Sequence, residues 1–201
     1  MMLVTALIVA AAIAPASASS APAPARRLVS VKDSPGWQPL ADPDSAAERI
    51  GRRTDAPLVR KRFHGGAKSL EALATAVLGA FHASSVDSML ALAVRDDEFR
   101  DILWREFPQS RPATGLHWDD AWPALHGRLN GGSVAAVREF GDHVYTLVRV
   151  ETGAVVPYRN FKLHNRITIV ARDDEGRVVR CDAIRSVVER GGRFKLYSMR
   201  D

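Results

Sequence analysis

The chain has 201 residues, of which 46% are apolar and 25% charged, and its 28 Lys and Arg residues outnumber 23 Asp and Glu residues. This length and composition fit one soluble domain, and they exclude a collagen-like chain, a disulfide-rich mini-protein and a wholly disordered chain. The single cysteine, Cys181, excludes an internal disulfide and any metal site that needs several cysteines.

The first segment of the chain is predicted to be a secretory signal peptide. Residues 3–13 are almost wholly apolar, and Ala16-Ser17-Ala18 follows them, although no Lys or Arg precedes the run. Such a run before a small-x-small site is typical of a signal peptide, and it is shorter than the roughly 20 residues of a membrane-spanning helix. We therefore expect cleavage after Ala18 and secretion to the periplasm or the extracellular space.

Residues 19–62 are predicted to be a disordered linker rich in Pro, Ala and Arg. This stretch contains one aromatic residue, Trp37, whereas thirteen of the fourteen aromatic residues lie after it. Such a segment buries too little apolar surface to offset the entropy lost on ordering. Residues 26–62 carry nine basic and five acidic residues, a surplus of +4, so we expect weak association of this segment with an anionic cell envelope.

Four helices are predicted after residue 69, because apolar residues recur there every three or four positions. The first three predicted helices begin at Leu70, Val86 and Asp96, and the fourth begins near Trp118 or Asp119. Ser69 and Ser85 can cap the first two helices, and Pro108 ends the third. Asn130-Gly131-Gly132 is expected to end the fourth helix, so that residues 134–140 form a separate helical piece.

Strands are predicted after Gly141, because the pattern there changes to β-branched residues and alternation. The predicted strands cover residues 144–150, 161–169, 177–189 and 194–199. Alternation over residues 161–169 predicts one dry and one wet face, and Gly191-Gly192 predicts a tight turn. Short connections join antiparallel neighbours, so we expect an α+β fold in which N-terminal helices pack on a curved antiparallel meander of about four strands.

The predicted domain, residues 63–201, is nearly neutral. Residues 63–137 carry six basic and nine acidic residues, and residues 138–201 carry thirteen basic and nine acidic residues, which leaves a sum of +1. The pI near 9.8 therefore arises mainly from the linker and one sheet. We expect no nucleic-acid partner, since such a fold would concentrate basic charge in the domain.

The order of elements resembles that of the NTF2-like (cystatin-like α+β cone) superfamily, with a meander ending in Gly192-Arg193-Phe194-Lys195-Leu196. The spacing of Phe99-x-x-Ile102-Leu103-Trp104, Arg111-Pro112 and Trp118-x-x-x-Trp122 is similar to that of uncharacterised secreted bacterial proteins. The resemblance covers residues 63–200 and implies a cone-shaped domain that often dimerises through its sheet. The superfamily includes isomerases, which use a pocket Asp as base, and binding modules. No motif matches that Asp, so no catalytic residue is assigned.

Motifs with specific chemistry are weak in this sequence. Gly65-Gly66-Ala67-Lys68-Ser69 lacks the Gly that a phosphate-binding loop places before its Lys, and we interpret it as the entry to a capped helix. The six histidines show no i, i+3 or i, i+4 pair, so neither a metal nor another cofactor is predicted. Cys181 is interpreted as a small core residue.

A ligand pocket is predicted between the helices and the sheet. Alternation along residues 177–189 places Cys181, Ala183 and Arg185 on one face, and Asn165 interrupts the apolar face of the neighbouring strand. Small and polar residues beneath aromatic side chains are typical of ligand pockets. The predicted lining residues are Trp104, Trp118, Trp122, Tyr145, Asn165, Cys181 and Arg185.

Alternatives remain open for both the register and the function. In the opposite register, Asp182 and Ile184 face inward and Arg185 is solvated. The favoured function is a secreted, non-catalytic module of the bacterial cell envelope that binds a small molecule or a protein. One alternative is an isomerase or dehydratase with a pocket acid or base. Another is a polyanion-binding envelope protein, which would use the basic linker and a wet sheet face made by Lys162, His164, Arg166 and Arg172.

Overall fold

The computed structural model of the protein describes residues 55–200, in which helices come first and antiparallel strands follow. The predicted signal peptide, residues 1–18, and the first part of the predicted linker, residues 19–54, lie outside the described residues. The α+β class is confirmed.

Two capped helices open the described part of the chain. Helix α1 spans Leu70–His82 and helix α2 spans Val86–Ala91. The hydroxyl oxygens of Ser69 and Ser85 each accept a backbone N–H from the first turn of the helix that follows, at 3.0 and 3.1 Å. Both caps satisfy N–H groups that have no partner within the helix, as the sequence predicts.

The predicted third helix begins as expected but changes its hydrogen-bond pattern twice. Helix α3 spans Asp96–Glu98, a π-helical turn spans Phe99–Leu103, and a 3-10 turn spans Trp104–Glu106. Two further 3-10 turns follow at Pro108–Ser110 and Pro112–Thr114. Because a π-helical turn contains more residues per turn than an α-helix, it changes the direction in which the following side chains point.

Helix α4 spans Trp118–Phe140 without a break, so the predicted end at Asn130-Gly131-Gly132 is wrong. Gly132 is buried, and a Cβ atom at this position would lie within 3.0 Å of the Met199 side chain and of the Arg200 carbonyl oxygen. The glycine therefore allows the helix to pack closely against the last strand. This packing outweighs the helix-propensity penalty of about 1 kcal/mol for a glycine.

Within residues 55–200, seven strands form two antiparallel sheets that do not close into a barrel, so the expectation of a single meander of about four strands is wrong. The strands are β1 Thr146–Glu151, β2 Val155–Pro157, β3 Lys162–Asn165, β4 Thr168–Arg172, β5 Val178–Cys181, β6 Ile184–Arg190 and β7 Arg193–Met199. One sheet has the order β1-β4-β5 and the other has the order β2-β3-β6-β7.

The difference arises because two of the predicted strands are each divided by a short break, and because β2 lies outside every predicted strand. Arg166 has a φ of +55° between β3 and β4, and residues 182–183 separate β5 from β6. The Arg166 N–H donates to the Arg185 carbonyl oxygen at 2.8 Å, so the two breaks lie side by side. The chain therefore passes between the two sheets at adjacent points.

The folded unit begins before the predicted boundary at residue 63. Ala56 is fully buried, and the Asn160 Oδ1 atom accepts the Val59 N–H at 2.7 Å. The Arg190 guanidinium donates to the backbone carbonyl oxygens of Lys61 and Val59. Residues 55–62 therefore belong to the folded unit, because polar side chains distant in sequence bind their backbone.

The predicted wet face of residues 161–169 is partly buried. His164 is only 8% exposed, its Nε2 atom lies 2.9 Å from Glu189 Oε2, and its ring contacts that of Phe194. Lys162 pairs with the same carboxylate at 3.2 Å. The prediction that His164 faces solvent is wrong, because Glu189 and Phe194 cover it.

Candidate functional site

A cavity of about 310 Å³ lies between α4, the turns that follow α3, and the four-stranded sheet. Aromatic side chains make up much of its wall, and three polar side chains also line it. The lining residues are Phe99, Trp104, Phe107, Gln109, Leu116, Asp120, Ala121, Ala124, Leu125, Arg128, Leu163 and Tyr197. Its volume lies at the lower end of the range of about 300–1,000 Å³ that is usual for small-molecule sites.

The π-helical turn and the turns after it supply the aromatic wall. The ring centroid of Phe99 lies 5.7 Å from that of Trp104 and 6.4 Å from that of Phe107. Phe107 in turn contacts the ring of Tyr197 on β7, at 5.7 Å. Because π-helical turns occur often at functional sites, this irregular segment favours a binding role for the cavity.

A buried carboxylate holds the start of this segment in place. Glu98 is fully buried, and its two carboxylate oxygens accept hydrogen bonds from the Lys195 Nζ atom at 2.8 and 2.9 Å. They also accept the backbone N–H groups of His64 and Arg95, at 2.6 and 3.0 Å. This arrangement compensates both buried charges and ties α3 to β7.

A second buried carboxylate holds the end of the segment. Glu106 is only 1% exposed, and it accepts the backbone N–H groups of Arg159 and Asn160, both at 2.6 Å. Neither this carboxylate nor that of Glu98 lines the cavity. Both therefore act as positioning groups that hold the two ends of the segment carrying the aromatic wall.

The polar residues of the cavity carry opposite charges at different levels of α4. Asp120 is exposed, and Arg128 is half-buried two turns further along the helix. Eight residues of helix separate their Cα atoms by about 12 Å along the axis. Gln109 adds an amide that can both donate and accept hydrogen bonds. A ligand with an apolar body and one polar group matches this lining.

The three predicted tryptophans lie near this cavity, but they occupy different positions. Trp104 lines it. Trp122 lies against Phe99, at 5.5 Å between ring centroids, and lines a neighbouring groove beside α2. Trp118 is the first residue of α4, and the Arg100 guanidinium lies over its ring at 5.3 Å.

The other four predicted lining residues lie on the strands or just before them. Tyr145 precedes β1 and contacts the ring of His143, at 6.0 Å between centroids. Cys181 ends β5, Asn165 ends β3, and Arg185 lies in β6. None of the four lines the cavity. Of the seven predicted lining residues, Trp104 is thus the one that lines this cavity.

The break between β5 and β6 also explains why neither predicted register is right. Cys181 and Ile184 are both buried, at 3% and 2% exposure, although an uninterrupted strand would place them on opposite faces. Residues 182–183 interrupt the alternation, so an inward side chain can follow after three residues instead of two.

Burial changes the acidity of two of these side chains. It raises the pKa of the Cys181 thiol from its ordinary value of 9.0 to about 11, which keeps the thiol protonated near neutral pH. Because the thiolate is the nucleophilic form, this cysteine is unreactive in the fold, in agreement with its interpretation as a core residue. Burial is also the largest cause that raises the pKa of Tyr145.

Sequence patterns identify the apolar part of the cavity wall better than its polar part. Phe99, Phe107 and Leu163 follow the helical and alternating patterns that mark inward positions. Asp120 and Arg128 give no such signal, because a charged residue on a helix is usually solvated. Their placement on the cavity follows from how α4 packs, which the local sequence does not specify.

Neither the described residues nor known proteins point directly to a function. Within residues 55–200, no group of three or more metal-ligating side chains could hold a metal ion, and no helix is both long and apolar enough to cross a membrane. No protein-family model, curated protein or solved structure matches the chain.

Proposed function

We propose that this protein is a secreted, NTF2-like module that binds a small ligand in the aromatic cavity and is not an enzyme. The observation that carries the proposal is the cavity itself, which Phe99, Trp104, Phe107 and Tyr197 line and which buried carboxylates hold in shape. The order of helices and antiparallel strands is compatible with the NTF2-like resemblance, and the apolar N-terminal run supports secretion.

The size and lining of the cavity define the class of ligand. A volume of 310 Å³ equals roughly ten water molecules at about 30 Å³ each, which suits a small, compact molecule. Aromatic walls favour a flat apolar body, since offset and edge-to-face contacts stabilise such rings. Arg128 or Gln109 would bind the polar group of this ligand.

Binding fits the lining better than acid–base catalysis does. Asp120 is the one carboxylate that lines the cavity within the described residues, and its side chain is exposed to solvent. A general base works best in a pocket that excludes water and brings it within hydrogen-bond distance of the substrate. The isomerase and dehydratase alternative would have to rely on this exposed group.

A pair of matched substitutions tests the proposal. Ala124 lines the cavity and Ala135 does not, although both are exposed residues of α4. Ala124→Trp should fill the cavity without disturbing the core, and Ala135→Trp should leave the cavity open. The full chain and both variants are titrated with indole as an aromatic probe, by calorimetry or by ligand-observed nuclear magnetic resonance.

We expect indole to bind the unmodified protein and Ala135→Trp with equal affinity, and to lose at least about tenfold in affinity for Ala124→Trp. Equal binding to all three proteins would place indole outside this cavity and contradict the proposal. Absence of binding to the unmodified protein would contradict it as well. Circular dichroism of each variant checks that the fold is retained.

Secretion has its own test. The protein is expressed in a bacterial host with its N-terminal segment intact, and the N-terminus of the exported product is sequenced. We expect the mature chain to begin at Ser19, because cleavage is predicted after Ala18. An unprocessed chain that stays in the cytoplasm would contradict this part of the proposal.

A further inference from the structure

A second cleft, of about 710 Å³, lies where the start of the folded unit meets the β6–β7 hairpin. It shares no lining residue with the aromatic cavity. Four of its eight lining residues are arginines, namely Arg60, Arg62, Arg190 and Arg193, and none is acidic.

Two glycine turns bring the arginines together. Gly65 and Gly66 have φ values of +71° and +86°, and Gly191 and Gly192 form the hairpin turn with φ values of +56° and +69°. The backbones after these turns meet where Ala67 and Phe194 exchange hydrogen bonds at 3.0 and 2.9 Å. Residues 60–66 are thereby fixed against the end of the hairpin.

Arg190 orients the first part of the cleft. Its guanidinium donates to the backbone carbonyl oxygens of Val59, Lys61 and Asn160. Its role is therefore structural, and it leaves some of its five N–H donors available. Because it binds the backbone of residues 59 and 61, it holds the segment that carries Arg60 and Arg62 against β6.

The side chains of residues 60–62 divide between two environments. Lys61 points away from the cleft and pairs with Asp97 and Asp101, at 2.8 and 2.7 Å. Its two neighbours in the chain, Arg60 and Arg62, line the cleft instead. Of these three basic residues, Lys61 thus binds acidic side chains, and the two arginines remain in the cleft.

Two of the four arginines of the cleft carry a charge that no acidic residue in the described part of the chain neutralises. Within residues 55–200, neither Arg60 nor Arg62 has an ion-pair or hydrogen-bond partner, and both are exposed. The nearby basic residues Lys61 and Lys195 have carboxylate partners. Arginines of one sign around a concave surface raise the local concentration of anions.

From this arrangement we propose that the cleft binds a phosphate-bearing anion with more than one phosphate group. The planar guanidinium group pairs with phosphate through two parallel hydrogen bonds, which favours arginine over lysine in such sites. The cleft volume exceeds what one phosphate needs, and several arginines around it can bind separate groups. Gly65 and Gly191 leave open space where side chains would otherwise stand, so a ligand can approach the backbone.

The proposal does not depend on the aromatic cavity, and its test uses different variants. The full chain is titrated with tripolyphosphate by calorimetry at low salt and at about 0.5 M salt, where exposed charges are screened. Arg60→Gln and Arg62→Gln remove one charge each from the cleft. Arg138→Gln, an exposed residue of α4 that does not line the cleft, is the matched control for net charge.

We expect each cleft substitution to weaken tripolyphosphate binding by about tenfold, since each removes a charge-assisted contact. The control should change affinity less than about twofold, and high salt should weaken binding to all proteins. No binding at low salt, or an equal loss in Arg138→Gln, would overturn the proposal. Citrate that binds as tightly as tripolyphosphate would also overturn it, because the cleft would then select charge and not phosphate.

A second arm separates the two sources of such a ligand. Vesicles of phosphatidylcholine with phosphatidic acid are sedimented with the protein, and free tripolyphosphate is added as a competitor. Sedimentation that depends on Arg62 supports a phosphate-bearing surface as the source. Binding of tripolyphosphate without sedimentation supports a soluble ligand, and both results keep the phosphate class of the ligand. Both arms use Arg138→Gln as the control.

Discussion

Replacement of Lys195 by methionine should strongly destabilise the fold, because it would leave the Glu98 carboxylate buried without its cation. The two side chains are 3% and 0% exposed, and two hydrogen bonds of 2.8 and 2.9 Å join them. Methionine retains most of the volume of the lysine chain, so Lys195→Met removes the charge without opening a large cavity.

The expected magnitude follows from the burial and the remaining partners. Removal of one member of a buried ion pair costs about 3–5 kcal/mol. Glu98 keeps the N–H groups of His64 and Arg95, so we expect a value near the lower limit, about 3 kcal/mol. Since the total stability of such domains is about 5–15 kcal/mol, this loss is large.

Two further variants separate the buried charge from other effects. Glu98→Gln added to Lys195→Met neutralises the orphaned carboxylate, and it should recover at least about 1 kcal/mol. Lys61→Met breaks pairs whose side chains are 21–30% exposed, and it should cost less than about 1 kcal/mol.

The measurement is urea unfolding followed by tryptophan fluorescence, with equal m-values as the check that all variants unfold in the same way. The reasoning would be refuted if Lys195→Met and Lys61→Met destabilised the protein equally. It would also be refuted if neutralising Glu98 lowered stability further instead of restoring part of it.

Three further predictions concern packing, the cysteine and acid stability. Gly132→Ala should lower the free energy of unfolding by about 1–3 kcal/mol, because the new Cβ atom would overlap β7. Gly131 faces open space, so Gly131→Ala should raise the free energy of unfolding by up to about 1 kcal/mol in the same urea titration. Equal effects of the two alanines would contradict the packing argument. Cys181 should react with a thiol reagent at pH 8 only after unfolding, since its pKa is raised to about 11, and rapid labelling of the native protein would show that it is accessible. Hydrogen bonds from Arg100 and Lys61 lower the pKa of Asp101 below its ordinary value of 3.8 in the folded protein. The ionised Asp101 therefore stabilises the fold above pH 3.8, and this stabilisation is lost as the pH falls through the pKa that Asp101 has in the folded state. Urea unfolding between pH 2 and 5 should show this loss of stability, and the loss should be smaller in Asp101→Asn. An unchanged pH dependence in Asp101→Asn would show that Asp101 does not cause the loss.

Local signals in the sequence predict the start of the helices and the class of the fold. Ser69 and Ser85 cap helices where predicted, because an N-cap needs a side-chain oxygen only two or three residues from its donor. Gly191-Gly192 forms the expected hairpin turn, since the required positive φ angles are a property of those residues. These features depend on atoms that are close in sequence.

Features that depend on distant contacts were not predictable in the same way. Asn130-Gly131-Gly132 looks like a helix end, yet α4 continues because β7 packs against Gly132. Residues 55–62 look like a linker, yet Asn160 and Arg190, about 100 or more positions later, hold them in the fold. No window of local sequence contains both partners of such a contact.

The two candidate sites differ for the same reason. Apolar periodicity marks Phe99 and Phe107 as inward-facing, so part of the aromatic cavity is visible in the sequence. The arginine cleft joins Arg60 and Arg62 to Arg190 and Arg193, and two of the nine basic residues of the predicted linker thus lie in a folded site. Composition alone establishes the excess of positive charge, but long-range packing places part of that charge around one concave surface.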